Sequence, residues 1–134
     1  MSNQANETQI HHSAVILKDV TIGNKTIIGA GAIIGAGGVI GENCQIGTGV
    51  IIEENSRIGN NCVLEPGVII GKKVTVGENT KIGIGARITN AVTIGPDSVI
   101  KIGEIVLKDM VYKMVFKRGA WIYREDSLNH KNED

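Results

Sequence analysis

From Ile10 to Val106 every sixth residue is Ile, Leu or Val, through Leu64 and Val76 and without one exception in seventeen positions. Neither the 3.6-residue period of an α-helix nor the heptad of a coiled coil lands on six, so the pattern is an internal repeat. A second series follows four residues after each aliphatic: Ala14, Val20, Thr26, Ala32, Gly38, Cys44, Val50, Ser56, Cys62, Val68, Val74, Thr80, Ala86, Val92 and Ser98, nearly all small or β-branched. Each of these lies two before the next aliphatic, and residues two apart on a strand share a face. Both series are therefore expected to point inward. The one to three residues after each aliphatic must hold a corner. Gly follows the aliphatic at ten of these corners, from Gly23 and Gly29 to Gly83 and Gly95. Gly, and after it Asn, suits a sharp corner with positive φ. Short strand and corner in alternation predict a flat-sided, all-β solenoid.

This hexad resembles that of the left-handed parallel β-helix family, in which three hexads make one triangular coil. The resemblance implies the handedness, which runs against the usual rule for parallel crossovers. Residues eighteen apart would then stack at roughly 4.8 Å, the spacing of neighbouring strands. Seventeen register positions amount to five to six coils.

Composition adds exclusions. The 134-residue chain has 14 Lys and Arg against 14 Asp and Glu, and a pI near 6.8. Nothing in that balance points to nucleic acid or an anionic membrane. No apolar run has the length of a membrane span, and Met1 to Thr8 lacks a signal-peptide core, so a cytoplasmic location is expected. Cys44 and Cys62 are eighteen apart in one inward column and read as reduced, small core residues. His11 and His12 occupy a corner with no third ligand in reach, so no metal site is expected.

Taken as three sides, the helix is not uniform. The side that follows corners Gly29-Ala30-Gly31, Gly47-Thr48-Gly49, Glu65-Pro66-Gly67 and Gly83-Ile84-Gly85 shows Val15, Ile33, Ile51, Ile69, Arg87 and Ile105 outward. The other sides show mixed columns: Thr21, Val39, Arg57, Thr75 and Thr93 on one, Ile27, Gln45, Val63, Lys81 and Val99 on the other. An outward aliphatic column is an interface candidate. It predicts a homotrimer packed through Val15, Ile33, Ile51 and Ile69, with Arg87 at its edge. A third column, Asn43, Asn61, Asn79 and then Asp97, is read as a structural ladder that satisfies corner amides and tolerates left-handed backbone.

The register fails at Tyr112. The expected organisation is a flexible lead over 1–9, the helix over 10–110, a C-terminal cap over 111–124 and a polar, disordered tail over 125–134. All four aromatic residues, Tyr112, Phe116, Trp121 and Tyr123, fall in the cap, whose helical or extended form the sequence leaves open.

Within the hexapeptide acyltransferases, Ile10-His11-His12-Ser13-Ala14-Val15-Ile16, Glu65-Pro66-Gly67, Ile82-Gly83-Ile84-Gly85-Ala86 and Val106-Leu107-Lys108-Asp109 resemble the C-terminal domain of sialic-acid and bacillosamine-type sugar acetyltransferases. The resemblance implies acetyl-coenzyme A as co-substrate and a site between trimer subunits. In that family a mid-helix His acts as general base. Here the corner is Ile52-Glu53-Glu54-Asn55, with Glu54 where the His would stand, and the family's N-terminal nucleotide-binding domain and Gly-x-Pro-Ala segment are missing. Arg118-Gly119-Ala120 matches the latter only loosely.

Two readings follow. In the first, Glu54, helped by Glu53 or Glu65, takes the proton of an amine or hydroxyl on a sugar-like acceptor. Gly83, Gly85 and Ala86 line the arm of coenzyme A, their small size admitting it to backbone amides, and Lys101, Lys108 and Arg118 meet its phosphates. A carboxylate of ordinary pKa is a weak base at neutral pH, so Glu54 would need Glu53 or burial to raise it. In the second, the chain is a non-catalytic trimeric scaffold or partner subunit. Carbonic-anhydrase-like chemistry would need three His ligands that the repeats do not contain.

Overall fold

The computed structural model describes residues 7–117 and 120–125. Seventeen two-residue strands alternate with corners and assemble into three parallel sheets. Sheet I stacks Gln9–Ile10, Ile27–Ile28, Gln45–Ile46, Val63–Leu64, Lys81–Ile82 and Val99–Ile100. Sheet II stacks Val15–Ile16, Ile33–Ile34, Ile51–Ile52, Ile69–Ile70, Arg87–Ile88 and Ile105–Val106. Sheet III stacks Thr21–Ile22, Val39–Ile40, Arg57–Ile58, Thr75–Val76 and Thr93–Ile94, and a bridge from Ile94 to Met110 extends it. Every pairing between the two-residue strands joins residues eighteen apart, as Val63 with Lys81 and Ile69 with Arg87. Three hexads make one coil, and the chain is a left-handed parallel β-helix.

Both inward series form the core. Ile34, Ile52, Ile70, Ala32, Val50, Val68 and Val74 have no solvent exposure at all. Burial comes from the coils above and below, as in any linear repeat.

The corners divide their labour differently from the sequence expectation. Left-handed backbone falls at the third corner residue: Gly31, Gly49, Gly85 and Gly103 at φ 69–70°, and Asn43, Asn61, Asn79 and Asp97 at φ 55–61°. The first corner glycines do not take positive φ. They are small because the next coil lies against them: a Cβ on Gly77 would sit 2.4 Å from the Pro96 nitrogen, and one on Gly35 would sit 2.6 Å from that of Glu54. The Asn ladder takes the left-handed backbone expected of it at Asn43, Asn61, Asn79 and Asp97. Its hydrogen bonding is corrected, because the corner amides are met by Asn at the second corner position. Asn60 Oδ1 accepts from the Glu42 amide and Asn90 Oδ1 from the Lys72 amide, each at 2.8 Å.

One inner column carries a chemistry of its own. Ahead of sheet I the inward small residues are Thr8, Thr26, Cys44, Cys62, Thr80 and Ser98, every one able to donate a hydrogen bond. Thr26 Oγ1 donates to Gly41 O at 2.6 Å, Cys44 Sγ to Gly59 O at 3.1 Å, Cys62 Sγ to Gly77 O at 3.2 Å and Thr80 Oγ1 to Gly95 O at 3.3 Å. A carbonyl left without a partner inside the stack is costly, so this column is held to donors throughout, whereas ahead of sheets II and III the small inward residues are mostly aliphatic, with Ser56 Oγ donating to Gly71 O at 2.6 Å. The cysteines are free and buried, one above the other as expected. The neighbouring Cys44 thiol and then burial push Cys62 up, away from thiolate chemistry.

The helix reaches lower than Ile10. Gln9 is in a strand, Thr8 Oγ1 donates to Gly23 O at 2.9 Å and Glu7 takes the left-handed corner conformation. At the other end the open form of residues 111–124 is decided in favour of strand: Tyr112–Lys117 and Ala120–Glu125 make an antiparallel hairpin that pairs with no strand of the helix. Residues 126–134 and Arg118 lie outside the described residues.

Candidate active site

Sheet II is bounded by two rows of corners, and the sequence-predicted site residues are divided between them. On the edge shared with sheet I stand Glu65, Gly83, Gly85 and Lys101, in corners stacked at 65–67, 83–85 and 101–103. On the edge shared with sheet III stand Glu53, Glu54 and Lys108, in corners at 53–55 and 107–109. One chain does not bring the two groups together.

The edge carrying Glu53 and Glu54 overlooks a groove of about 400 Å³ between the corner and the aliphatic column of sheet II. Its floor is low because the corner beneath is Gly35-Ala36, and Ile33 and Ile51 form its wall. Lys72, one coil above, places its Nζ 3.5 Å from Glu54 Oε2, both side chains being about half exposed. An ion pair so open to water adds little stability. Glu53 is half-buried beside it.

On the opposite edge Glu65 pairs with Lys81 at 3.8 Å and borders a second groove of about 390 Å³ with Gly47, Thr48, Gln45 and Val63. Gly49, Gly85 and Gly103 on this edge have open space where a Cβ would project. A bare row of corners admits a thin, extended ligand close to the backbone. The amides meant to greet it differ from expectation, however. Gly83 N donates to Ile100 O, Gly85 N to Pro66 O and Ala86 N to Gly83 O, and Ala86 is fully buried. These groups are committed to the stack. The Ile84 amide between them has no hydrogen-bond partner among the described residues, and its side chain is 49% exposed. Sequence reasoning passed over Ile84 because the glycines around it drew attention to themselves. The signal was available: the second corner residue is the one whose amide faces neither stacked coil unless an Asn reaches it.

Lys101 and Lys108 are exposed on the last coil, one on each edge. His11 and His12 stack on each other at 4.4 Å, with Ser13 Oγ 2.8 Å from His11 Nδ1. No three His, Cys, Asp or Glu side chains among the described residues gather as metal ligands would, and no described helix is long and apolar enough to cross a membrane.

The profile of the bacterial transferase hexapeptide family (six repeats) matches residues 5–36 and 37–72. Among solved structures, the chain is similar to the acetyltransferase domain of PglB from Neisseria gonorrhoeae, with a TM-score of 0.75 and 22% identity over 78% of this chain and 53% of that one. It is also similar to PerB from Caulobacter crescentus, solved in complex with CoA and GDP-perosamine, with a TM-score of 0.66 and 30% identity over the same shares, 78% and 53%. The chain thus spans about half the length of these structures. No curated protein matches it. The hexads, the stacked triangular coils and the matched repeats together place the chain in the bacterial hexapeptide-repeat transferase family.

Proposed function

We propose that the protein transfers an acetyl group from acetyl-coenzyme A to an amine or hydroxyl of a sugar-like acceptor, at a site between the subunits of a homotrimer. The observation that carries this reading is the division of candidate residues between the two edges of sheet II, with Val15, Ile33, Ile51 and Ile69 between them. Packing three copies about an axis facing sheet II is a heterologous contact, so one edge of each copy meets the opposite edge of the next. The Glu53 and Glu54 corner of one subunit would then face the Gly83 to Lys101 row of its neighbour, and two half-sites become one.

The residues present fit coenzyme A in part. The open row at Gly49, Gly85 and Gly103 has room for its arm, and the Ile84 amide offers a donor to an amide carbonyl of that arm. Lys101 and Lys108 supply cations for its phosphates. Acetyl-coenzyme A brings a thioester whose carbonyl carbon accepts a nucleophile. Glu54 takes the proton as the acceptor's nitrogen or oxygen bonds to that carbon and the carbon–sulfur bond breaks, the departing thiolate recovering a proton from solvent. Lys72 holds the Glu54 carboxylate in place between turnovers.

The exposure of Glu54 and its pairing to Lys72 also favour the second reading, a trimeric scaffold that has kept the family's architecture as a partner subunit. Calorimetric titration with coenzyme A and acetyl-coenzyme A separates the two. Binding in the micromolar to millimolar range is expected for the enzyme, and no heat at millimolar ligand would leave the scaffold. Where binding is seen, Glu54→Gln is expected to lower turnover by about 10²-fold or more with coenzyme A affinity unchanged. Undiminished turnover would reject Glu54 as the base.

A further inference from the structure

The groove beside Glu53 and Glu54 is walled by Leu17, Ile33 and Ile51, and Lys72 is the one basic side chain among the residues that line it. Its corner is pinned by the coils on both sides. Asn90 Oδ1 accepts from the Lys72 amide and Lys72 O from the Ala91 amide, each at 2.8 Å, while the Lys73 amide donates to Glu54 O at 3.1 Å. The lysine side chain therefore starts from a fixed point, and its Nζ stands 3.5 Å from Glu54 Oε2. Its height in the stack matters as well. Corner 71–73 follows Ile69–Ile70 and lies one coil above 53–55, whereas the free Ile84 amide belongs to the next coil up, that of Arg87–Ile88. Lys72 is thus between the levels of Glu54 and Ile84.

We infer that Lys72 is itself an acetyl acceptor, so that the protein modifies its own groove. The inference rests on the transferase reading above, with acetyl-coenzyme A on the edge of the neighbouring subunit. A coenzyme A whose phosphates meet Lys101 and whose arm meets the Ile84 amide points its thioester down the stack, to the level of Lys72 before that of Glu54. A lysine is an ammonium at neutral pH and must shed a proton before it attacks, and Glu54 is at hand to take it. The amine's lone pair then bonds to the thioester carbonyl carbon as the carbon–sulfur bond breaks. The nitrogen passes its second proton to the departing thiolate, and Glu54 returns the first to solvent. The products are coenzyme A and an acetamide on Lys72. Amine and base held on stacked, pinned corners replace a bimolecular encounter with an intramolecular one. The acetamide carries no charge, so the pair with Glu54 is lost and no second acetyl is taken.

Mass spectrometry after incubation of the purified chain with acetyl-coenzyme A alone tests it. One acetyl group per chain is expected, at Lys72, with Lys73 and Lys25 labelled at least about tenfold more slowly although both are exposed. Glu54→Gln is expected to slow the labelling of Lys72 by about 10²-fold and to leave that of Lys73 unchanged. The direction is diagnostic, since a surface amine released from an ion pair would react no more slowly. Lys72→Arg keeps the charge and is expected to leave the intact mass unchanged by the incubation; an acetyl gained at the wild-type rate would put the acceptor elsewhere and overturn the proposal. Labelling of Lys72 no faster than of Lys73, in protein to which calorimetry shows coenzyme A bound, overturns it too and leaves the transferase reading standing. Absence of coenzyme A binding removes both.

Discussion

The first coil and the middle coils are written in the same hexads, yet Ile10 is 46% exposed where Ile46, two coils up in the same column, is 2% exposed. The difference lies in what surrounds each coil, since neither sequence nor backbone geometry separates them. A two-residue strand has no core of its own; its inward aliphatic is dry only when a coil lies on both sides. Stability in this molecule is therefore a property of stacking, and a residue's energetic importance should follow its place in the stack more than its identity.

The largest test of that contrast is truncation in the shared column. Ile46→Ala is expected to cost about 2–5 kcal/mol, since it removes a fully buried side chain and leaves a cavity between two coils. Ile10→Ala should cost about 1 kcal/mol, in line with its partial burial. Urea unfolding of both variants measures the difference. Equal losses would mean that the first coil is as well covered as the middle, and would break the comparison.

That contrast also marks what the sequence could reveal. Period and inward residues follow from spacing, because spacing sets which side chains share a face; coil number and the stacking of Cys44 on Cys62 needed the three hexads per coil that the family resemblance implies. The aliphatic outer column of sheet II was visible for the same reason. The job of the first corner glycines was not. That position looks like a turn in one dimension, and only the neighbouring coil, 2.4 Å from a Cβ on Gly77, shows it to be a clearance site. The site suffered likewise. Glu54 and Lys72 are eighteen apart and so stacked, but the commitment of the Gly83 and Gly85 amides to neighbouring coils and of the Ala86 amide to its own corner, and the freedom of Ile84, depend on which way each corner peptide turns.

A smaller effect probes the donor column. Thr26→Val keeps the shape but strips Gly41 O and the Cys44 amide of a partner at 2.6 and 3.1 Å. With the Cys44 amide buried and Gly41 O part-buried, the expected cost is about 1–3 kcal/mol. Thr8→Val removes the corresponding part-buried bond to Gly23 O in the first coil, where water can replace the hydroxyl, and should cost under about 1 kcal/mol. Thermal unfolding of the pair sharpens the comparison. A matching loss at Thr8 would indicate that the first coil is as well covered as the middle ones.

The smallest effect should ignore position altogether. Lys25 and Lys73 take left-handed backbone at φ 62° and 56°, the first near the base and the second in the middle of the stack. Both side chains are exposed, so the strain belongs to the residue itself. A left-handed L-residue costs roughly 1–2 kcal/mol, and glycine relieves it while losing about 0.5–1 kcal/mol to unfolded-state freedom. Lys25→Gly and Lys73→Gly are each expected to raise stability by about 0.5 kcal/mol, and by the same amount. A gain at one site only would show that corner conformation also depends on the coils around it, and the separation drawn here between local strain and stacking would not hold.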